Sequence, residues 1–179
     1  MEEKLKEVLA FVNHKGGVGK TTTVQSLAAG LRKFGKGQFG KDKDGNDHLP
    51  RVLIIDLDPQ ACVSFLSGWS ETKNVGKPTM YDALVQQGQM PVYKVNEGIY
   101  LAPASSRLIG IEPFLNQMAV PRKALCKLLA KPLMEMEGTE LHDEGTFNVN
   151  EAFDYVLIDC PPAMSLLTYN ALTAATSVV

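Results

Sequence analysis

Lys15-Gly16-Gly17-Val18-Gly19-Lys20-Thr21-Thr22 is the stretch on which the reading of this chain turns. It lies between a short apolar run, Val8 to Val12 (VLAFV), and a segment from Lys20 to Phe34. In that segment Val24, Leu27, Ala28 and Leu31 recur at helical spacing. The first run reads as a buried strand, the second as a helix stopped at Gly35. Glycines let a backbone turn so that successive N–H groups face inward on a chain of phosphates. A helix starting near Gly19 adds the positive end of its dipole. Lys20 can reach β- and γ-phosphates, and the Thr21 hydroxyl can bind magnesium. The general pattern G-x-x-x-x-G-K-[ST] would need glycine at position 14, where this chain has His14. A second lysine, Lys15, stands instead at the loop entrance, so residues Lys15 to Thr22 form the expected nucleotide-binding set.

Working outward, Val52 to Ile55 (VLII) reads as a strand ending at Asp56, and Phe153 to Ile158 (FDYVLI) as one ending at Asp159. Ile99 to Ala102 (IYLA) is a third candidate strand. Helices are expected at Thr79–Gln87, Arg107–Met118, Arg122–Met136 (interrupted by Pro132) and from about Ser165 to Ala175, with a further strand starting at Ser177. Gly35 to Pro50 and Gly138 to Glu151 read as polar loops inserted in one domain. Apolar strands alternating with helices predict an α/β fold: a doubly wound, mostly parallel sheet of the P-loop NTPase type, covered on both faces. Ligands of such sheets bind beyond the carboxyl ends of the strands, so Asp56, Asp58 and Asp159 can converge on one nucleotide. Magnesium is usually held by one or two carboxylates plus phosphates.

The 179 residues suit one domain, and 45% apolar with 21% charged residues excludes a disordered or collagen-like chain. Lys plus Arg number 18 against 20 Asp plus Glu, a net charge of −2, so there is no overall basic excess for nucleic acid. Cys62, Cys126 and Cys160 lack metal spacing and read as reduced thiols, Cys160 as a small buried hydrophobe. Met1 to Glu7 has no signal-peptide core, and no apolar stretch approaches ~18 residues. The expectation is a cytoplasmic protein with no membrane partner. Asp42-Lys43-Asp44-Gly45-Asn46-Asp47 fails the calcium-loop pattern at Asp47 and Leu53. His14, His48 and His142 read as loop residues, His14 with a possible nucleotide contact. Arg107, Arg122, Lys123, Lys127 and Lys131 form a modestly basic stretch, read as a solvated face.

The octapeptide resembles the deviant Walker A motif of the ParA/MinD family of ATPases. Asn13 and Lys15, Asp56-Leu57-Asp58-Pro59-Gln60, and Phe153 to Pro162 followed by Leu166-Leu167-Thr168-Tyr169-Asn170-Ala171-Leu172 are most similar to its ParA (Soj) partition branch. The resemblance runs from Val8 to Val179, with apparent insertions near 36–50 and 137–151. It implies catalytic roles for Lys15, Lys20 and Asp58, a metal shell drawn from Thr21, Asp56 and Asp159, and ATP with Mg2+ as cofactors. Asp58 would position the attacking water, and Lys15 would reach a partner subunit's phosphates. The family further implies an ATP-dependent homodimer, a ParB-like centromere-binding partner, nonspecific DNA and nucleoid association when ATP-bound. The resemblance covers about two-thirds of such a domain, so the fold is expected to be truncated at the C-terminus with an open sheet edge. The main DNA-binding face would then lie in the missing C-terminal part. A MinD-like positioning ATPase, or a nucleotide-binding module without turnover, is the alternative.

Overall fold

The computed structural model describes residues 7–36, 40–41, 45–136, 141 and 148–179. Its elements are β1 (Glu7–Phe11), α1 (Lys20–Phe34), β2 (Val52–Asp56), α2 (Cys62–Leu66), α3 (Met80–Gln86), β3 (Met90–Asn96) and β4 (Ile99–Ala102). They continue with α4 (Glu112–Asn116), α5 (Ala124–Leu129), β5 (Leu133–Glu135), α6 (Val149–Ala152), β6 (Tyr155–Asp159), α7 (Leu166–Ala174) and β7 (Ser177–Val178). One seven-stranded sheet has the order β5-β3-β4-β2-β6-β1-β7, parallel except where β3 runs against β4.

All five residues of β2 are buried, as expected of a central strand covered on both faces. Alternate side chains of each strand go to opposite faces. Val8, Ala10, Leu53, Ile55, Val156 and Ile158 pack with residues of α3, α4, α5 and α7. Phe11, Val52, Ile54 and Leu157 pack with Val24 and Ala28 of α1 and Val63 of α2. Each buried Val, Leu, Ile or Phe side chain among these contributes roughly 1.5–3 kcal/mol relative to exposure. At one edge β7 pairs with β1, its residues exposed. Among the described residues no helix is long and apolar enough to cross a membrane.

Three local expectations are corrected. Arg107–Met118 is not one helix but a 3-10 turn (Ser106–Gly110) followed by the five-residue α4, because Gly110 ends the turn and Pro113 restarts a helix at its first turn. Arg122–Met136 stops being helical after Leu129. Lys131 and Pro132 break it, and Leu133–Glu135 becomes the edge strand β5 beside β3. The reading of Gly138–Glu151 as a loop fails at its end. Asn148 caps α6, accepting from Asn150 and Glu151 N–H, while Glu151 accepts from the Asn148 N–H. Strand β3 and helix α2 had no predicted counterpart. Asp42 to Asp44, His142, part of the first expected insertion and most of the second lie outside the described residues.

The basic stretch is divided among separate contacts. Arg107 pairs with Asp82 at 2.6 Å and stacks on Tyr81. Arg122 lies over the Tyr169 ring, and Lys131 Nζ donates to the Gln87 carbonyl. His48 Nε2 lies 2.8 Å from Asp154 Oδ2, joining the 45–50 segment to the entrance of β6.

Candidate nucleotide site

Strand β6 lies between β1 and β2, with Asp159 in register with Phe11 on one side and Asp56 on the other. That register brings the loop after β1, the loop after β2 and Asp159 to one end of the sheet, although they are far apart in sequence. The 13–19 loop is compact. The Asn13 side-chain oxygen accepts from the Lys15 N–H at 2.9 Å, and Lys20 Nζ reaches back to the Asn13 carbonyl at 3.3 Å. Gly17 and Gly19 have φ of 71° and 94°, values that a side-chain-bearing residue adopts only with strain. A Cβ added at Gly16, Gly17 or Gly19 would meet no described atom within 4 Å, so a hollow lies against these glycines. Gly19 precedes α1 without a side-chain cap, which leaves first-turn N–H groups available to an anion.

The structure gathers Lys20, Thr21, Asp58 and Asp159 around this hollow. The Thr21 hydroxyl donates to Asp159 Oδ2 at 2.7 Å. Asp159 Oδ1 is buried and has no hydrogen-bond partner among the described residues. Burial pushes the Asp159 carboxyl up to about 6, Thr21 opposes the shift, Asp58 adds to it and Lys20 opposes it. Asp58 keeps its place by accepting from the Gln60 N–H at 2.9 Å. Lys15, Gly16, Gly17, Val18 and Thr22 are exposed around the rim.

Asp56 is fully buried, and burial raises its carboxyl to about 7 against the opposing Ser64 hydrogen bonds. Its Oδ1 accepts from the Asp58 N–H, and its Oδ2 from the Ser64 N–H and hydroxyl. The residue expected in a metal shell is thus engaged by the 57–64 segment, next to Asp159 in the sheet. Two contacts had no sequence signal beyond their residue type: Ser64 on Asp56, and His14 Nδ1 at 3.1 Å from the Pro162 carbonyl. The latter joins the phosphate loop to the segment after β6.

The thiols here differ in a measurable way. Burial, then the Asp159 charge, drives Cys160 up to about 12. Cys62 is exposed, and it too is raised, by burial and then by Asp58, Asp56 and Asp159. Only the thiolate reacts. Iodoacetamide at pH 8 is therefore expected to modify Cys62 more slowly than free cysteine, faster as pH rises, and to leave Cys160 intact in the folded chain. Peptide mass spectrometry checks this, and alkylation of Cys160 at the Cys62 rate would refute it.

Comparison with known proteins gives the family and the fold. Residues 6–179 match the AAA_31 family, an AAA domain. The chromosome partitioning protein ParA of Caulobacter vibrioides is 35% identical over 176 residues, covering 96% of this chain and 54% of that protein. Soj, the sporulation initiation inhibitor protein of Bacillus subtilis, is 35% identical over 176 residues, 97% of this chain and 56% of that one. The chain thus spans little more than half the length of these curated relatives. A structure of cobyrinic acid a,c-diamide synthase from Mycobacterium smegmatis, with bound ADP and magnesium, superposes with a TM-score of 0.73 at 35% identity. It covers 97% of this chain and 58% of that one. A plasmid partition protein from Borrelia burgdorferi, 21% identical with a TM-score of 0.68 and coverage of 97% and 61%, shares the fold. The chain belongs to the AAA_31 family of AAA domains, as a P-loop NTPase of mostly parallel α/β fold whose relatives include the ParA and Soj partitioning proteins.

Proposed function

We propose that this chain binds and hydrolyses Mg-ATP as a nucleotide-switched dimer in chromosome or plasmid partitioning. The observation that carries the reading is Asp159 Oδ1, a buried and unpartnered carboxylate oxygen beside the Thr21 hydroxyl at the open end of α1. Such an oxygen costs free energy unless a cation or an ordered water meets it. An oxygen donor set of hydroxyl and carboxylate suits magnesium. Thr21 and Asp159 would hold that ion, directly or through water, with Asp56 behind them, and the ion would neutralise charge on the phosphates.

Residues Lys15 to Thr22 would cradle the phosphates through backbone N–H groups, with Lys20 over the β- and γ-oxygens. Asp58, close enough to Asp159 to raise its carboxyl, would orient the attacking water. Phosphoryl transfer needs positioning and charge neutralisation more than covalent chemistry, and these groups supply both. The Lys15 side chain is exposed and makes no hydrogen bond or ion pair with a described residue, which leaves it able to reach phosphates in a second subunit. ATP can drive such assembly only by binding the dimer more tightly than the monomer. A ParB-like protein would stimulate hydrolysis, and the ATP-bound dimer would associate with nonspecific DNA on the nucleoid. DNA contacts would lie mainly in sequence beyond these residues.

Size-exclusion chromatography with ATP and magnesium, beside phosphate release with and without DNA, tests this. An ATP-induced dimer that releases phosphate supports the proposal, whereas a chain that binds no nucleotide refutes it. Lys15→Gln is expected to reduce dimerisation and to slow turnover by about tenfold or more, because a charge-stabilising group is lost. Nucleotide affinity of the monomer should survive. Unchanged dimerisation and turnover would remove Lys15 from its role.

A further inference from the structure

Ser64 is fully buried in the short helix α2, and no motif read from the sequence includes it. Its hydroxyl donates to Asp56 Oδ2 at 2.6 Å and accepts from the Ala104 N–H at 3.1 Å. Its own N–H donates to the same Oδ2 at 3.0 Å, while Asp56 Oδ1 accepts from the Asp58 N–H at 3.0 Å. One carboxylate therefore anchors both ends of the segment from Asp56 to Ser64, and one hydroxyl joins that segment to the chain leaving β4. Within it Ala61 has a φ of 51°, a conformation that persists only where the surroundings over-determine it. Asp58 has one further side-chain anchor, the Gln60 N–H. The phosphate loop is held separately, by β1, Asn13 and α1.

We infer that Ser64 is a positioning residue for the hydrolytic step, acting through the Asp56 carboxylate on Asp58. The inference rests on the reading above, in which Asp58 orients the attacking water. Misplacing a catalytic group by about 1 Å can cost on the order of 10²-fold in rate. Losing the Ser64 hydroxyl leaves Asp56 Oδ2 with a single donor and the Ala104 N–H with no acceptor, so the segment carrying Asp58 loses its fixed geometry. The loop expected to hold the phosphates makes its described contacts outside this network, so a loss confined to cleavage separates the effect of Ser64 from general loosening of the fold.

The test is single-turnover cleavage of ATP with magnesium, measured beside the affinity for a fluorescent ATP analogue. Ser64→Ala is expected to slow cleavage by about tenfold or more while affinity changes by no more than about twofold. Trp69, the only tryptophan, donates its backbone N–H to the Ser64 carbonyl at 3.0 Å, so its emission reports whether α2 stays folded. Ser64→Thr, which keeps the hydroxyl, is expected to restore cleavage. Asp56→Asn, whose amide offers one acceptor oxygen where Ser64 and the Asp58 N–H need one on each side, should fall as far as Ser64→Ala. The double variant should fall no further, because both act through one network. Wild-type cleavage in Ser64→Ala, or equal losses of affinity and cleavage, would overturn the inference. If the unaltered chain shows no Asp58-dependent cleavage, the reading of Asp58 falls and this inference with it. If Asp58→Ala abolishes cleavage but Ser64→Ala does not, the inference alone falls.

Discussion

Asp58→Ala is expected to reduce ATP cleavage by about 10²–10⁴-fold, the range a positioned acid–base or water-orienting group supplies. The nucleotide dissociation constant should change little. Asp58 sits in the loop after β2, its backbone fixed by Asp56 and its carboxylate by the Gln60 N–H. The groups proposed to hold the phosphates, by contrast, belong to the loop after β1. A group that orients water is needed only in the transition state, so its removal lowers kcat and leaves ground-state binding intact. The same change also removes a negative charge that raises the Asp159 carboxyl, which should slightly favour the ionised form of Asp159 and retain the metal. Calorimetric titration with a nonhydrolysable ATP analogue, beside single-turnover cleavage, checks both parts. Full cleavage by the alanine variant would exclude Asp58 from the chemistry. A parallel loss of binding would make it a structural residue.

Phe153→Ala carries the largest expected effect on stability. Phe153 is 1% exposed and meets Tyr100 edge-on, ring centroids 5.3 Å apart, immediately before the strand that ends at Asp159. Deleting a buried phenyl ring costs about 3–5 kcal/mol through lost transfer free energy and the cavity left behind. For a domain of this size each kcal/mol lowers the melting temperature by roughly 2–4 °C. The loss should therefore be plain in a thermal scan, and Phe153→Leu should be much milder. An unchanged midpoint in Phe153→Ala would mean that the start of β6 is not packed as described.

The candidate site was legible in sequence where its residues are consecutive or end apolar runs. Lys15 to Thr22 carry their glycines, lysine and hydroxyl in consecutive positions, and Asp56 and Asp159 end apolar runs, so a linear reading finds them. Helix α1 and strand β4 were expected at the boundaries observed, since periodicity and short apolar runs identify them. What was hidden depends on contacts between distant segments. The Ser64–Asp56 pair spans eight residues across an irregular turn and leaves no spacing pattern. Strand β3 begins Met90-Pro91 and carries Lys94 and Asn96, a composition that reads as loop until β4 pairs with it. Strand β5 follows Pro132, and its three residues become a strand only through β3. Propensity yields to pairing at such edges.

The placement of β6 between β1 and β2 also has a consequence for biogenesis. Strands β1 and β2 share no hydrogen bonds and are bridged only by a strand made much later. At cellular synthesis rates the roughly 100 residues between β2 and β6 take on the order of 5–20 s to emerge from a ribosome. Through that interval the phosphate loop exists without the strand that carries Asp159, and the two neighbouring strands expose the edges β6 will fill. A nascent chain stalled before Tyr155 is therefore expected to need chaperone protection and to retain no ATP, acquiring both solubility and nucleotide affinity when β6 inserts.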